Sequence, residues 1–516
     1  MAGVSESVKA ALIEGYPKFA EATKQFFDKT LAPGDYKKIS GGQGCYGEHG
    51  ANSVMLRLRF AGGAIDKTQI KFLIDAVKEH PITFTHISTG QSLQLHHLDA
   101  DTVIDLFPKA HAAGIYTRGA GGDNPRNMTG APLRGVGKGA AFDVTPYFTA
   151  AQNYLMTLVT TLKLPRKYKI AFSSGCENEG HATCKELGFI AEQDGTFTIY
   201  AGGGLGANPR VATKVAAGVD PKDVLYYMYA MGKLYEDFGD YKNKARARSR
   251  YIVERLGADE FIRVFNEYVA NAKETQQLDI VPEEAGVTKQ GTGVPTTKRA
   301  VEQKQPGLYY VNYHPFGGDP DAKTFLRLLE YIYPLQDVTL RLNTDESMYI
   351  INLNAEEADE VAKIVEADNA TTDFDTSISC VGCTVCQIGL RDSSGMLAKI
   401  RDAVVAAGDV DEALLPQIRV SGCPNSCGAH EVGLLGLQGF SKKVNDALVP
   451  AFALSMDGSC DLHDTKLGTR VAGITEEELP VFFVELGRVL TKAKTSFAPW
   501  YAAHKDEFMA LVKKFD

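Results

Sequence analysis

No stretch of this chain approaches the ~18 consecutive apolar residues of a membrane span. The opening, MAGVSESVKAALIEGYPKFAEATKQFF, has helical periodicity broken by charges and lacks the apolar core of a signal peptide. Positive charge is in deficit: 55 Lys and Arg stand against 64 Asp and Glu, for a net charge of −9. General affinity for nucleic acid is excluded on that balance, so an anion site must come from a local cluster of bases. There is no P-loop, and AGGGLGANP (201–209) does not keep the spacing of a nicotinamide or flavin fingerprint in a clear strand–helix–strand setting. Cysteine is absent between Cys184 and Cys380, and the total of nine is odd in a chain of 516 residues. That usage fits a reducing compartment better than a disulfide framework. The expectation is a cytoplasmic protein with no membrane or nucleic-acid partner, long enough for two or three cores.

What is present is a pair of cysteine loops in the last third of the chain. SCVGCTVCQ carries Cys380, Cys383 and Cys386, and SGCPNSCG carries Cys423 and Cys427. Free cysteines are more often scattered in the core as small apolar residues; five in two turn-like loops point to thiolates converging on a soft metal centre. The spacing of the first loop imitates a ferredoxin run, but the position of the fourth cysteine is Leu390. Zinc knuckles are a second possibility, although Cys423-x3-Cys427 is an unusual knuckle. The remaining partition takes Cys380-x5-Cys386 with Cys423-x3-Cys427 and leaves Cys383 out.

The fold expected is α+β. A strand, SVMLRLRF, is followed by Gly62-Gly63, the amphipathic helix DKTQIKFLIDAVKEH and two strands, ITFTHI and SLQLHHL. The unit recurs 255 residues later: Gly62-Gly63 falls on Gly317-Gly318, Asp66 on Asp321, Leu73 on Leu328, Thr89 on Thr344 and Ser92 on Ser347, without a gap. Identity and apolar phase together indicate a duplication, two half-repeats about a pseudo-twofold axis with mixed and antiparallel sheets. The division expected is an arm and glycine-rich loop (1–53), a first half-repeat (54–120) paired with a second (308–372), a basic domain (121–280), a polar linker (281–307) and a cysteine domain (373–516). The halves differ in chemistry: Arg57 and Arg59 face Asn312 and His314 across the repeat, and DNPRNMTGAPLRG with Arg126 stands where the second copy has cysteines. Gly175-Cys176 echoes Gly422-Cys423. In YKNKARARSRYIVERLG most charges are expected in solvent, the remainder against an anionic partner.

Arg57, Arg59, Arg126, Arg166, Lys167 and Lys169 each lie beside a turn or strand end. Converging cations would attract a small anion, hold its oxygens and supply protons. Cx5C…Cx3C with GCPNSCG, together with MLRLRFAGG, DNPRN and LPRKYK, resembles the siroheme- and [4Fe–4S]-containing sulfite and nitrite reductases over most of the chain. The resemblance implies that Cys380, Cys386, Cys423 and Cys427 hold a [4Fe–4S] cluster and that Cys427 also bridges to siroheme. It further implies that Arg57, Arg126, Lys167 and Lys169 bind the anion, that Arg166 contacts the siroheme carboxylates and that Arg59 belongs to the basic wall.

Some positions depart from that pattern. Gly90 stands where the family commonly has Arg, Cys383 is an additional thiol, and Cys176, His181 and Cys184 lack a fourth partner for a metal site of their own. The reaction implied is six-electron reduction of sulfite to sulfide or nitrite to ammonia. The second lysine of LPRKYK favours sulfite slightly, since another cation suits a dianion. The donor is expected to be a separate ferredoxin or flavoprotein. The rival readings are an iron–sulfur electron carrier without siroheme and a zinc-stabilised binding protein.

Overall fold

The computed structural model describes residues 3–283 and 286–516. The first two positions of the expected arm and positions 284–285 of the expected linker lie outside the described residues. Two compact units form: one of Met1–Gly204, Arg210–Tyr313 and Pro320–Ala367, the other of Leu205–Pro209, His314–Asp319 and Asp368–Asp516. No described helix is long and apolar enough to cross a membrane.

The duplication is written into the backbone. Strand Val54–Arg59, helix Lys67–Glu79, strands Thr85–Ser88 and Ser92–Leu98 and helix Ala100–Ala112 recur as Tyr309–Tyr313, Ala322–Ile332, Thr339–Leu342, Met348–Leu353 and Ala355–Val365. Left-handed residues recur in the same places: Gly62 and Gly317 (φ 53° and 64°), Gln91 and Glu346 (51° and 66°), and His97 and Asn352 (58° and 63°). A positive φ in a non-glycine residue is uncommon, so its repetition at one offset is stronger evidence than identity alone. The helix caps repeat too. Asp66 and Asp321 each accept the N–H three residues on, as do Asp99 and Asn354.

In the first unit the two half-repeats close over one core, in which Leu56, Leu73 and Leu95 share a cluster with Leu328, Leu340 and Ile350. Ala64–Ile65, from the first copy, pairs with Leu340 and Arg341 at the edge of the second copy's sheet. Residues 286–299 form a tethered strap: Asp337 accepts the N–H groups of Thr288 and Lys289, and Asp359 those of Thr296 and Thr297. A second core lies under the sheet Ile170–Ser173, Leu187–Ala191, Phe197–Ala201, Thr213–Val219 and the helices Thr145–Thr161, Val224–Phe238 and Ala258–Thr275.

The other unit repeats that second plan. In both, a parallel pair opens the sheet (Ile170 opposite Leu187; Arg419 opposite Gly436) and antiparallel strands follow. Helices Ser393–Ala407 and Leu479–Ala493 cover its core, and the chain closes with two further helices, Phe497–Ala503 and Lys505–Val512.

Candidate metal centre and basic cluster

In the second unit, strand Ile378–Ser379 runs parallel to Arg419–Ser421, and the Cys380 N–H continues the ladder to the Val420 carbonyl at 3.2 Å. Both cysteine loops therefore leave from the same end of neighbouring strands, which is why thiols distant in sequence meet. The Gly422 N–H donates to Cys380 Sγ at 3.3 Å, and the Ser393 hydroxyl lies 3.0 Å from that sulfur. The loop then turns so that the Cys386 N–H bonds the Gly382 carbonyl at 2.8 Å. Gly382 has φ +72°, and a Cβ there would stand 2.6 Å from the Asp392 carboxylate, so the turn requires glycine. Glu431 steadies the second loop, accepting from the Ser426 hydroxyl and from the Gly206 N–H at 2.9 Å.

Electrostatics identify which sulfurs face one another. Burial, then Cys427, pushes the Cys380 thiol up to about 12. Burial raises Cys423, with Cys427 and Cys386 adding to it. Cys383 is raised by burial and then by Asp392, with Glu476 adding. Cys427 thus acts on both Cys380 and Cys423, and Cys386 on Cys423. Among the described residues no three of these sulfurs lie within 4.8 Å of one another. Buried thiols with raised pKa are poor ligands until a metal takes the proton's place, and iron bound by all four would remove that cost. Cys423 is buried, Cys380 and Cys386 are half-buried, and Cys427 is exposed. The donor set therefore fits an iron–sulfur cube.

The first unit gathers cations on one face of the sheet Cys45–Gly47, Val54–Arg59, Ser92–Leu98, Thr85–Ser88. Alternation puts Leu56, Leu58, Leu93 and Leu95 into the core and sets Arg57, Arg59, Ser92, Gln94 and His96 on the opposite face. Arg57 is half-buried opposite Gln94, donating to its Oε1 at 3.3 Å and to the Ala120 carbonyl at 3.0 Å. Arg126 donates to that same carbonyl at 3.3 Å and to the Gly122 carbonyl at 2.6 Å. The Arg57 guanidinium lies 5.8 Å from the centroid of the Tyr46 ring, whose hydroxyl accepts the Gly122 N–H at 2.8 Å. The Arg126 N–H bonds the Tyr168 carbonyl at 2.8 Å, which sets DNPRN alongside LPRKYK.

Burial lowers the pKa of Arg126, and Arg57 and Arg166 press it further down against Tyr46 and Asp123. Lys169 falls to about 7 through burial, then Lys185 and Arg248, with Arg126 adding and Glu186 opposing. Arg57, Arg126, Arg166 and Lys169 thus form one electrostatic group. Arg166 is tied to Asp123 at 3.2 Å, and Lys167 is half-buried on the same segment.

Arg59 is placed differently from a wall residue. It is fully buried and donates to the carbonyls of Arg118, Pro125 and Arg126 at 3.0, 3.4 and 3.1 Å. Its guanidinium fastens the loop that carries Arg126. At Gly90 a Cβ would meet nothing nearer than Ser88 Oγ at 3.6 Å, and the Gly90 carbonyl accepts from Asn127 at 2.9 Å.

Residues the sequence did not single out include Gln94, Tyr46, Lys185, Glu186 and Arg248. The polar positions alternating in SLQLHHL are the signal for Gln94; nothing local marks Glu186. In the basic segment Arg248 and Arg250 are buried while Lys242, Lys244 and Arg246 stay exposed. The anionic partner of Arg248 is the chain's own Glu186. The N–H groups of Gly202 and Gly203 bond the carbonyls of Glu186 and Lys185, so AGGGLG extends the antiparallel pairing of Leu187–Ala191 with Phe197–Ala201. Cys45 is buried against the Tyr36 hydroxyl at 3.3 Å. Cys176 is exposed beside Glu179, and Cys184 is buried. Neither belongs to a metal-like group among the described residues; the one such group, Glu79, His80 and Asp105, is bridged at both carboxylates by the Lys109 ammonium.

Residues 47–113 match the family model of the nitrite/sulfite reductase ferredoxin-like half domain, and residues 121–273 that of the nitrite and sulphite reductase 4Fe-4S domain. The second match falls on the copy without the cysteine loops, as a duplicated domain allows. The chain is 25% identical over 446 residues to a ferredoxin–nitrite reductase of Synechococcus elongatus, covering 83% of this chain and 84% of that protein. It is 24% identical over 479 residues to sulfite reductase [ferredoxin] 2 of Mycolicibacterium paratuberculosis, covering 89% and 83%. The NirA protein of Mycobacterium tuberculosis shares the fold, with a TM-score of 0.78 at 20% identity over 97% of both chains.

Proposed function

We propose that the chain, which matches the nitrite and sulphite reductase domain models over residues 47–113 and 121–273, is a siroheme- and [4Fe–4S]-dependent reductase of that family and reduces a small oxyanion by six electrons: sulfite to sulfide, slightly favoured, or nitrite to ammonia. The single observation carrying this reading is the meeting of the Cys380–Cys386 and Cys423–Cys427 loops at the ends of one parallel strand pair, where the Gly422 N–H donates to Cys380 Sγ. Cys380, Cys386, Cys423 and Cys427 would hold the cluster, and Cys427, exposed at its loop, would serve the siroheme as well. When bound, the cluster delivers electrons singly and siroheme offers an iron with an open position.

The chain's own residues supply the rest. Arg57 and Arg126 hold the anion's oxygens by charge-assisted hydrogen bonds, and Lys167 and Lys169 add charge and protons. An amine with a pKa of about 7 both gives and regains a proton near neutral pH. Arg166, oriented by Asp123, is assigned to the siroheme carboxylates, and Arg59 acts through the loop it fastens. The relatives named as ferredoxin-dependent support a ferredoxin as donor. An odd number of cysteines, nine, with five in two loops suited to a thiolate site, supports a cytoplasmic setting.

Steady-state turnover with reduced methyl viologen, on nitrite and sulfite separately, tests the reading without the natural donor. About five irons per chain and a Soret band are expected. Four irons without that band would instead make the protein an electron carrier, and zinc without colour would make it a binding protein.

A further inference from the structure

Beneath Lys169 lies a carboxylate with no access to solvent. Glu186 is completely buried. Lys169 and Glu186 each immediately precede a strand of one parallel pair, Ile170–Ser173 and Leu187–Ala191, with Ile170 opposite Leu187. Glu186 Oε2 accepts the Lys169 backbone N–H at 2.9 Å, and Oε1 accepts from the Arg248 guanidinium. The Gly202 N–H bonds the Glu186 carbonyl at 3.0 Å, so the residue is anchored through its backbone as well.

The charges acting on the Lys169 amine are Lys185, Arg248 and Arg126, which repel its proton, and Glu186, which attracts it. Arg250 stands beside Arg248, and the buried phenols of Tyr168 and Tyr235 feel the same carboxylate. A carboxylate removed from water is costly unless paired and hydrogen-bonded. Arg248 alone would satisfy the pairing. The bond to the Lys169 N–H directs the second oxygen to the segment that carries the anion-binding lysines.

We propose that Glu186 is a positioning residue for the reduction: it fixes the Lys167–Lys169 segment and counterbalances the surrounding cations, so that the Lys169 ammonium stays protonated and in place for the incoming anion. The functional part rests on the reductase reading; the effect on the amine does not.

The test follows the reactivity of the Lys169 amine with acetic anhydride against pH, read by peptide mass spectrometry on the folded protein. This readout is independent of turnover. In the unaltered protein the midpoint is expected near 7. Glu186→Gln should lower it by about one unit or more, the usual effect of losing an opposite charge at close range. Glu186→Asp keeps the charge and should restore most of the shift. An unmoved midpoint in folded Glu186→Gln would overturn the proposal. Should that variant not fold, Arg248→Gln gives the opposite sign: removing a repelling cation must raise the midpoint, and a value unchanged or lowered overturns the proposal equally. A midpoint that shifts as expected in a protein turning over neither anion would strike the reductase reading and sustain the role of Glu186. Intact turnover with an unmoved midpoint would strike Glu186 alone.

Discussion

Arg57 and Arg126 donate to one backbone oxygen, the carbonyl of Ala120, at 3.0 and 3.3 Å. Two like charges a few ångströms apart repel by roughly 4 kcal/mol at an effective dielectric of ~20. The shared carbonyl, with Gln94 and Gly122, offsets part of that cost and aims both groups at one place. A bound anion would remove much of the remainder, which makes the pair a preformed receptor.

Arg126→Gln should raise KM for the anion at least tenfold, about 1.4 kcal/mol, while iron content and the absorption spectrum stay unchanged. Steady-state kinetics with reduced methyl viologen measure it. An unchanged KM would remove Arg126 from the receptor.

Arg59→Met should behave otherwise. It leaves the carbonyls of Arg118, Pro125 and Arg126 without their donor, at about 1–3 kcal/mol for each buried group left unsatisfied. A fall in melting temperature of several degrees is expected, along with weaker anion binding through a loosened loop. A variant as stable as the parent, with a raised KM, would instead return Arg59 to the wall.

Cys383→Ser should retain the full iron and acid-labile sulfide of the parent, because the Cx5C…Cx3C set completes four ligands without it, and its thiol is raised chiefly by burial and Asp392. Cys386→Ser or Cys423→Ser should lose most of the cluster. Equal losses in all three would mean that Cys383 is a ligand.

Lys169 carries the pH dependence. Its pKa in the folded protein is lowered to about 7, so its charge is complete below that value and disappears as pH rises through it. KM for the anion should therefore climb above pH ~7, approaching tenfold per unit where this charge controls binding. In Lys169→Asn that limb should vanish, and sulfite turnover should fall more than nitrite turnover. Equal losses on the two anions would withdraw the preference for sulfite.

His430 predicts an acid limb of stability. Burial holds it down to about 4, below the ordinary value of 6.5. Between those values the unfolded chain binds the proton and the folded one does not, so stability falls as pH drops below 6.5 and continues to fall to about 4. The total is on the order of 3 kcal/mol. Denaturant midpoints should decline over that range, and His430→Gln should flatten the decline.

The sequence alone determined the duplication, the two cysteine loops and the basic segments. Those signals are local: a gapless 255-residue offset, a cysteine spacing, and bases beside glycines and prolines. It also left both partitions of the cysteines available, because spacing does not reveal where a sulfur points. The parallel pairing of Ile378–Ser379 with Arg419–Ser421 is what brings both loops to one strand end. Arg57 and Arg59 are equivalent in the string MLRLRF, two steps apart on one face. Only packing separated them, burying Arg59 under its loop and leaving Arg57 half-open beside Gln94. Glu186 had no local signature whatever. Its meaning comes from Arg248 and Lys169, brought together across the sheet by long-range pairing, and a carboxylate's role depends on the charges around it.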